Sequence, residues 1–227
     1  MKVEFLYPEL TNLLGENGSL NFFTEIFGED NVVRTSYPDR PRFLSEEIAL
    51  VFMGAMTEKT QRLILDILLP LREEIQAKIA DGQHILFTGN SIDLLGEEIV
   101  YENIGTIPAL NLYSFKTYTN RYDRCNDLVY GLFDKVEIIG FISQFTRYEG
   151  ETPKFIHSIQ GNQGLHDKNL YAASLLGPLV ITSPQFSKYL LASLGFDVEL
   201  PHEQALLDAF AARKQQIKEQ APTLLDL

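Results

Sequence analysis

The stretch HILFTGNSIDLLG, residues 84–96, decides the fold class of this chain. It begins with the apolar run Ile85–Phe87, turns through Thr88–Ser91, and continues with the helix-like apolar spacing of Ile92–Leu95. A buried strand, a glycine-containing turn and a helix are the parts from which α/β enzymes build a nucleophile elbow. Such a turn lies at the carboxyl end of the sheet, where these folds bind their ligands. This turn is therefore where a reactive side chain would lie, and we expect that it carries none.

The residues before this stretch alternate between strand and helix patterns. Ile48–Met53 is continuously apolar and predicts a strand that is buried on both faces. Thr57–Asp81 repeats an apolar residue every fourth position and predicts a helix, which Pro70 divides because proline suits a first helical position but not an interior one. The remaining predictions for this half are strands at Lys2–Tyr7, Asn31–Ser36 and Ile85–Thr88, and a helix capped by Ser19 that ends at Phe27. The order β-α-β-β-α-β predicts a mostly parallel sheet with helices on its faces.

After Gly96 the pattern becomes that of antiparallel strands with one solvated face. Apolar residues alternate between Ile104 and Phe115, and tyrosines are frequent. Further strands are predicted at Leu128–Leu132, Val136–Ile142, Phe155–Ile159 and Leu170–Leu176, and closing helices at Ser183–Leu194 and from Pro201 to Gln220. No linker or repeat divides the chain. We therefore predict a single three-layer α/β domain over residues 1–227, with a central, mostly parallel sheet and an antiparallel extension.

The composition excludes several classes of partner and cofactor. With 19 Lys and Arg against 31 Asp and Glu, the net charge is -12, which argues against nucleic acid and against an anionic membrane surface. No apolar run approaches the roughly 20 residues that span a bilayer. The single cysteine, Cys125, suits the reducing cytoplasm, where we expect the protein to reside. The four histidines show no ligand spacing, so no metal is predicted, and no cofactor is expected.

Several segments together resemble one enzyme family. They are Phe52–Gly54, Leu86–Gly96, Leu110–Arg121 (LNLYSFKTYTNR), Gly140–Phe141 and Asp167–Pro178 (DKNLYAASLLGP). The family is the class I glutamine amidotransferases, in the branch that resembles cobyric acid synthase and contains the glutaminase subunit of the lipid II amidation complex. The likeness extends from about residue 2 to about residue 200. It implies the flavodoxin-like fold of that family, with the turn at Gly89–Ser91 facing Leu176.

The chain departs from this family at the two positions that carry the chemistry. The resemblance places Gly89 where the family has its nucleophilic cysteine and Leu176 where it has its general-base histidine. Glutamine hydrolysis needs a thiolate and an imidazole, and neither glycine nor leucine can replace them. The resemblance therefore implies a catalytically inactive protein, a binding or regulatory subunit. It would pair with a Mur-ligase-like protein or with itself.

Three residues near the turn are candidates for a remaining function. The resemblance implies that Arg121 holds the carboxylate of a small amino-acid ligand, with Asn90 and Ser91 beside it, although an ion pair between Arg121 and Asp123 is an equal alternative. Ser91 could instead be a non-standard nucleophile of an amidotransferase or hydrolase, because Gly89–Asp93 is a partial G-x-S-x-G elbow. A serine nucleophile needs a base within reach. The structural alternative is that Ser91 caps a helix beginning at Ile92.

The remaining titratable candidates have weaker signals. Cys125 follows Arg124, which favours a reactive thiol, but free cysteines more often pack as small, half-buried apolar residues. His157 or His166 would serve Ser91 only if a loop carried one of them over the turn. His84 and His202 are expected to be solvated.

Overall fold

The computed structural model describes residues 1–102 and 105–227, and its centre is a six-stranded sheet. The strands, in chain order, are β1 (Val3–Leu6), β2 (Val32–Thr35), β3 (Leu50–Met53), β4 (His84–Thr88), β13 (Leu165–Asp167) and β14 (Leu170–Ala173). Their spatial order is β13-β14-β4-β3-β1-β2. All neighbours pair in parallel except β13, which is antiparallel to β14. The predicted mostly parallel central sheet is therefore confirmed.

Helices cover both faces of this sheet. They are α1 (Asn17–Phe27), α2 (Glu58–Leu68), α3 (Arg72–Ala80), α4 (Leu179–Thr182), α5 (Pro184–Ser193) and α6 (Glu203–Gln220). Alternate residues of the strands point to opposite faces, so Phe5 and Phe52 pack with Phe23 of α1 on one face. Val51 and Met53 pack with Ile64 of α2 on the other face. This arrangement confirms the three-layer α/β fold class.

The helix breaks follow the sequence with two corrections. A single 3₁₀ turn at Leu69–Leu71, which contains Pro70, separates α2 from α3, so the predicted break is present, but the second helix begins at Arg72 and not at Pro70. Ser19, however, is not the cap of α1, because the helix begins two residues earlier at Asn17. Ser19 is buried instead, and its hydroxyl donates to the carboxylate of Glu16 at 3.1 Å. Ser19 therefore donates to the side chain of Glu16, whereas a cap would accept a hydrogen bond from a backbone N–H.

Most strands after Tyr101 form two smaller sheets instead of extending the central one. The first contains β5 (Glu98–Tyr101), β6 (Gly105–Pro108), β7 (Phe115–Thr119) and β10 (Thr146–Gly150), and the second contains β8 (Cys125–Phe133), β9 (Val136–Gln144), β11 (His157–Ser158) and β12 (Gly161–Asn162). Only β13 supplies the antiparallel extension that was predicted. Ile104 of the predicted alternation lies outside the described residues.

The topology brings the ends of the parallel strands to one edge. The chain leaves β3 at Gly54 and β4 at Gly89, and β14 ends at Ala173, so three segments meet at the carboxyl edge of the sheet. Strand β9 reaches the same edge through a bridge between Phe141 and Leu176, and β10 reaches it through a hydrogen bond from Tyr148 to Asp93. Among the described helices, none is long and apolar enough to cross a membrane.

Candidate functional site

The turn after β4 is a 3₁₀ segment, Gly89–Leu95, and not the α-helix from Ile92 that the sequence suggested. Thr88 has extended backbone angles, and Gly89 then takes a positive φ of 61°, which reverses the chain direction. This conformation is disfavoured for residues with a Cβ atom. The backbone N–H of Gly89 donates to the carbonyl of Leu175 at 3.1 Å and fixes the turn against the end of β14.

The space above Gly89 is already filled. A Cβ atom at this position would lie 2.7 Å from Cβ of Ala55 and 2.8 Å from Cδ2 of Leu176, both closer than carbon atoms pack. Leu176 is held in place by two backbone hydrogen bonds with Phe141 of β9, at 2.8 Å and 3.4 Å. The expected proximity of the turn and Leu176 is therefore present. The position that the resemblance assigns to the nucleophile has no room for a side chain.

A cleft of about 230 Å³ opens beside this turn. Its apolar walls come from the Leu13–Gly15 turn, from the segment after β3 and from the segment after β14. The polar residues that line it are Thr57, Glu58, Gln61, Asn90, Asp93, Thr119, Arg124, Ser143, Gln144, Thr146 and Ser174. The cleft thus combines an apolar side with polar groups from α2, the turn and the smaller sheets.

Asn90 has a structural role at the cleft wall. Its side chain accepts a hydrogen bond from the N–H of Met56 at 2.9 Å and donates one to the carbonyl of Met56 at 2.8 Å. This pair ties the segment after β3 to the turn after β4. Because both ends of the amide are engaged, Asn90 keeps only part of its hydrogen-bonding capacity for a ligand.

Ser91 is fully buried and does not line the cleft. Its hydroxyl donates to the carbonyls of Thr88 and Met53, at 2.7 Å and 3.2 Å, so it ties together the ends of β3 and β4. The predicted helix cap is wrong, because a cap accepts from a backbone N–H whereas this hydroxyl donates to carbonyls. No histidine is among the residues that line the cleft.

A polar network that no sequence pattern indicated lies at the floor of the cleft. Asp93 is 1% exposed, and its carboxylate accepts from Nε2 of Gln61 at 2.8 Å and from the hydroxyl of Tyr148 at 3.0 Å. Tyr101 donates to Oε1 of Gln61 at 2.9 Å. Burial raises the pKa of Asp93 to about 7, and the hydrogen bonds from Gln61 and Tyr148 oppose this rise. The available signal was one acidic residue inside the apolar run Ile92–Leu95.

A second buried carboxyl lies behind the cleft. Glu16 is 2% exposed beside Gly54, and burial raises its pKa to about 7 while the hydrogen bond from Ser19 lowers it. Its Oε1 atom has no hydrogen-bond partner among the described residues, and neither does the nearby hydroxyl of Thr88. Glu16 does not line the cleft.

The predicted ligand arginine lies outside the cleft. Arg121 is exposed in the turn after β7 and is not among the lining residues, and no ion pair with Asp123 occurs within the described chain. Arg124 lines the cleft instead, where it donates to Oγ of Ser143 at 3.0 Å and stacks over Phe145 at 5.2 Å. A role of Arg121 in ligand binding stays a prediction.

The cysteine and the histidines lie away from the turn. Cys125 is exposed at the start of β8, so the expectation of a half-buried thiol is wrong. His202 and His157 are exposed, His166 stacks on Tyr171, and the hydrogen bonds of the Ser91 hydroxyl go to backbone carbonyls and not to a histidine. His84 is partly buried, which lowers the pKa of its imidazole and corrects the expectation that it is solvated. Over residues 1–102 and 105–227, no cluster of His, Cys, Asp and Glu is suited to a metal ion.

Solved structures share this architecture. No protein-family model and no curated protein matches the chain. One crystal structure of a glutamine amidotransferase superposes with a TM-score of 0.61 at 14% identity, over 86% of this chain and 100% of that one. The chain has a glutamine amidotransferase fold. A glutamine amidotransferase from Thermotoga maritima aligns over 100% of this chain and 96% of its own length, with a TM-score of 0.55 and 13% identity.

A third amidotransferase-fold neighbour is a chain of PurLQS from Thermotoga maritima. It has a TM-score of 0.56 and 10% identity, and it covers 85% of this chain and 98% of its own. Identities this low establish the fold and leave the activity to be argued from the site. In this amidotransferase fold, the site consists of the filled position at Gly89 and the polar cleft beside it.

Proposed function

We propose that this protein is a catalytically inactive, glutamine amidotransferase-like protein that binds a ligand or a partner. One observation carries the proposal: Ala55 and Leu176 occupy the space in which a side chain at position 89 would stand. The absence of a nucleophile at position 89 could result from one substitution in a site whose other residues still fit a side chain there. A position that neighbouring side chains have filled indicates that the surrounding structure is adapted to its absence.

The chemistry of glutamine hydrolysis explains why this matters. A thiolate must attack the amide carbon, and an imidazole must keep the thiol ionised and protonate the leaving ammonia. At these positions the chain has a hydrogen and an isobutyl group. No histidine lines the cleft, and Cys125 lies on β8 outside it.

The alternative function, an amidotransferase or hydrolase that uses Ser91, has no geometric support. The Ser91 hydroxyl already donates to two backbone carbonyls, and it is buried beneath the turn. An attacking serine must pass its proton to a base, and neither contact is a base. A serine-directed fluorophosphonate should leave Ser91 unlabelled, whereas labelling that Ser91→Ala abolishes would favour the hydrolase.

The rim of the cleft supports a role as a subunit. Leu13, Leu14 and Phe141 are 38%, 53% and 41% exposed, and they flank the cleft through the first turn and the bridge to Leu176. Exposed apolar side chains beside a cleft are common at interaction surfaces. The resemblance to the cobyric-acid-synthase-like branch suggests a Mur-ligase-like partner in the cytoplasm, or a second copy of the chain. A net charge of -12 favours a basic partner surface.

The activity arm of the proposal is tested by ammonia release from glutamine. We expect none from the purified protein, alone or with a Mur-ligase-like protein. The Cys125→Ala variant is the control, because it removes the only thiol. Turnover that persists in Cys125→Ala would show that the catalytic site is elsewhere.

The partner arm is tested by light scattering and by pull-down with a purified Mur-ligase-like protein. Leu14→Asp and Phe141→Asp should weaken association at least tenfold, because each places a charge in the apolar rim. Val198→Asp is the matched control, since Val198 is 38% exposed in the segment between α5 and α6. Equal losses in all three variants would contradict an interface at the cleft.

A further inference from the structure

We infer that the cleft binds a small organic cation, a primary ammonium group with a short apolar arm, with the ammonium held by the carboxylate of Asp93. The inference rests on the proposed function in one respect, namely that the cleft binds its ligand without hydrolysing it. It adds the chemical class of the ligand.

Asp93 is a buried acidic group without a cationic partner. Its carboxylate lines the cleft, is 1% exposed, and receives two hydrogen bonds from neutral groups, Gln61 and Tyr148. No lysine, arginine or histidine forms an ion pair with it in the described part of the chain. Glu58 lines the same cleft and adds a second negative charge. A buried carboxylate without a counter-ion is costly, and a bound ammonium would supply that charge.

Thr119 provides a second, independent indication of a polar ligand. Its side chain is buried and lines the cleft, yet its hydroxyl has no hydrogen-bond partner among the described residues. Thr119 pairs directly with Thr146 across β7 and β10, and Tyr148, two residues along β10 on the same face, donates to Asp93. The unpaired hydroxyl and the carboxylate therefore belong to one wall. An ammonium carries three donors, which is enough for both groups.

The rest of the cleft fits a short apolar arm. Leu13, Ala55, Met56, Phe145 and Leu176 line it, and an amphiphilic amine would bury its carbon atoms against them. Burial of this apolar surface lowers the free energy by about 25 cal/mol per Å². The cleft of about 230 Å³ limits the arm to a few carbon atoms.

The cleft favours a cation over an anion even though an arginine lines it. Arg124 is exposed, and its guanidinium already contacts Ser143 and Phe145. Asp93 is buried, so a charge beside it interacts through a medium of low polarity, whereas water screens a charge beside Arg124. The stronger electrostatic contact is therefore the one at Asp93.

This geometry makes binding depend on pH. Burial places the pKa of Asp93 near 7, so its charged fraction in the free protein rises between pH 6 and pH 8. The other titratable groups around it are Glu58 of α2, Tyr101 of β5 and Tyr148 of β10, and burial and nearby carboxylates raise the pKa of both tyrosines, so they stay neutral. An ammonium ligand stays charged over this range. Its affinity should therefore increase roughly tenfold from pH 6 to pH 8.

The test uses three isosteric probes with the full chain. We expect 3-methylbutylammonium, titrated by NMR at pH 8, to shift the amide signals of the turn Gly89–Leu95. The neutral 3-methyl-1-butanol and the anionic 3-methylbutanoate should bind at least tenfold more weakly. Asp93→Asn should remove the preference for the ammonium and its pH dependence. Thr119→Val, which keeps the shape of the side chain, should weaken ammonium binding several-fold.

Glu16→Gln is the matched control, because it neutralises an equally buried carboxyl outside the cleft and should leave binding unchanged. Asp93→Asn should unfold at a higher temperature than the wild type at pH 8, which separates loss of binding from loss of structure. Equal affinities for the three probes, tighter binding of the anion, or undiminished ammonium binding by Asp93→Asn would each overturn the inference. Ammonia release from glutamine, measured in parallel, would instead contradict the proposed function.

Discussion

Gly89 is the residue on which the account depends most. Its positive φ of 61° and its contacts with Ala55 and Leu176 both oppose a side chain. We expect Gly89→Ala to lower the free energy of unfolding by about 2–4 kcal/mol, the sum of a left-handed backbone penalty and of overpacking. Urea denaturation of the two proteins measures this difference.

Gly195→Ala is the control for Gly89→Ala. Gly195 also has a positive φ, of 80°, but a Cβ atom there would meet nothing within 4 Å. Its substitution should therefore cost only the backbone penalty, about 1 kcal/mol. If both variants lost the same stability, position 89 would have room for a side chain.

Glu16 allows a prediction at the same scale about pH. Its pKa is raised from 4.5 to about 7 in the folded protein, so the folded state favours the protonated form. The stability that this group contributes is present below pH 4.5 and is lost as the pH rises through about 7. Glu16→Gln should therefore raise the melting temperature more at pH 8 than at pH 5, with a gain of up to about 3 kcal/mol at pH 8. A larger gain at pH 5 would contradict the assigned direction.

At the scale of elements, α2 positions the floor of the cleft. Thr57 caps this helix, because its side chain accepts from the N–H of Thr60 at 3.1 Å, and Gln61 follows in the next turn. Thr57→Ala should lower the free energy of unfolding by about 1 kcal/mol, whereas Thr57→Ser keeps the hydroxyl and should change it little. Urea denaturation with an unchanged m-value is the measurement. A similar loss in Thr57→Ser would show that the methyl group, and not the cap, is responsible.

The elements of the first half could be predicted from the sequence because their signals are local. The apolar runs before Gly54 and Thr88 are long enough to specify buried strands, and Pro70 marks a helix break by its missing N–H. The conformation of Gly89–Leu95 was harder to predict, because three apolar residues within four positions fit a 3₁₀ segment as well as an α-helix. The separation of strands β5–β12 into two sheets depends on long-range pairing, which alternation alone does not encode.

The site was only partly predictable for a similar reason. The proximity of Gly89 and Leu176 followed from aligning two local motifs with one family. The network of Asp93 joins α2, β5 and β10, which are distant in sequence, so no spacing rule identifies it. Arg124 lines the cleft and Arg121 does not, and this depends on where the chain turns after β7, which no local motif specifies.

At the scale of the whole molecule, the chain combines an amidotransferase fold with a cleft that neither a histidine nor a cysteine lines. Three strands of the central sheet end at one edge, and residues of the two smaller sheets line the cleft at that edge. The fold alone does not set the function, so the proposed binding role depends on the polar groups of this cleft. A single domain over residues 1–227 stays a prediction.

Covalent trapping with an electrophilic glutamine analogue tests directly whether the cleft contains a nucleophile. The Cys125→Ala variant is incubated with 6-diazo-5-oxo-L-norleucine, and its intact mass is measured. Because the cleft has no nucleophile at Gly89 and Ser91 is buried, we predict an unchanged mass. A stoichiometric adduct that maps to a residue of the cleft would contradict the account.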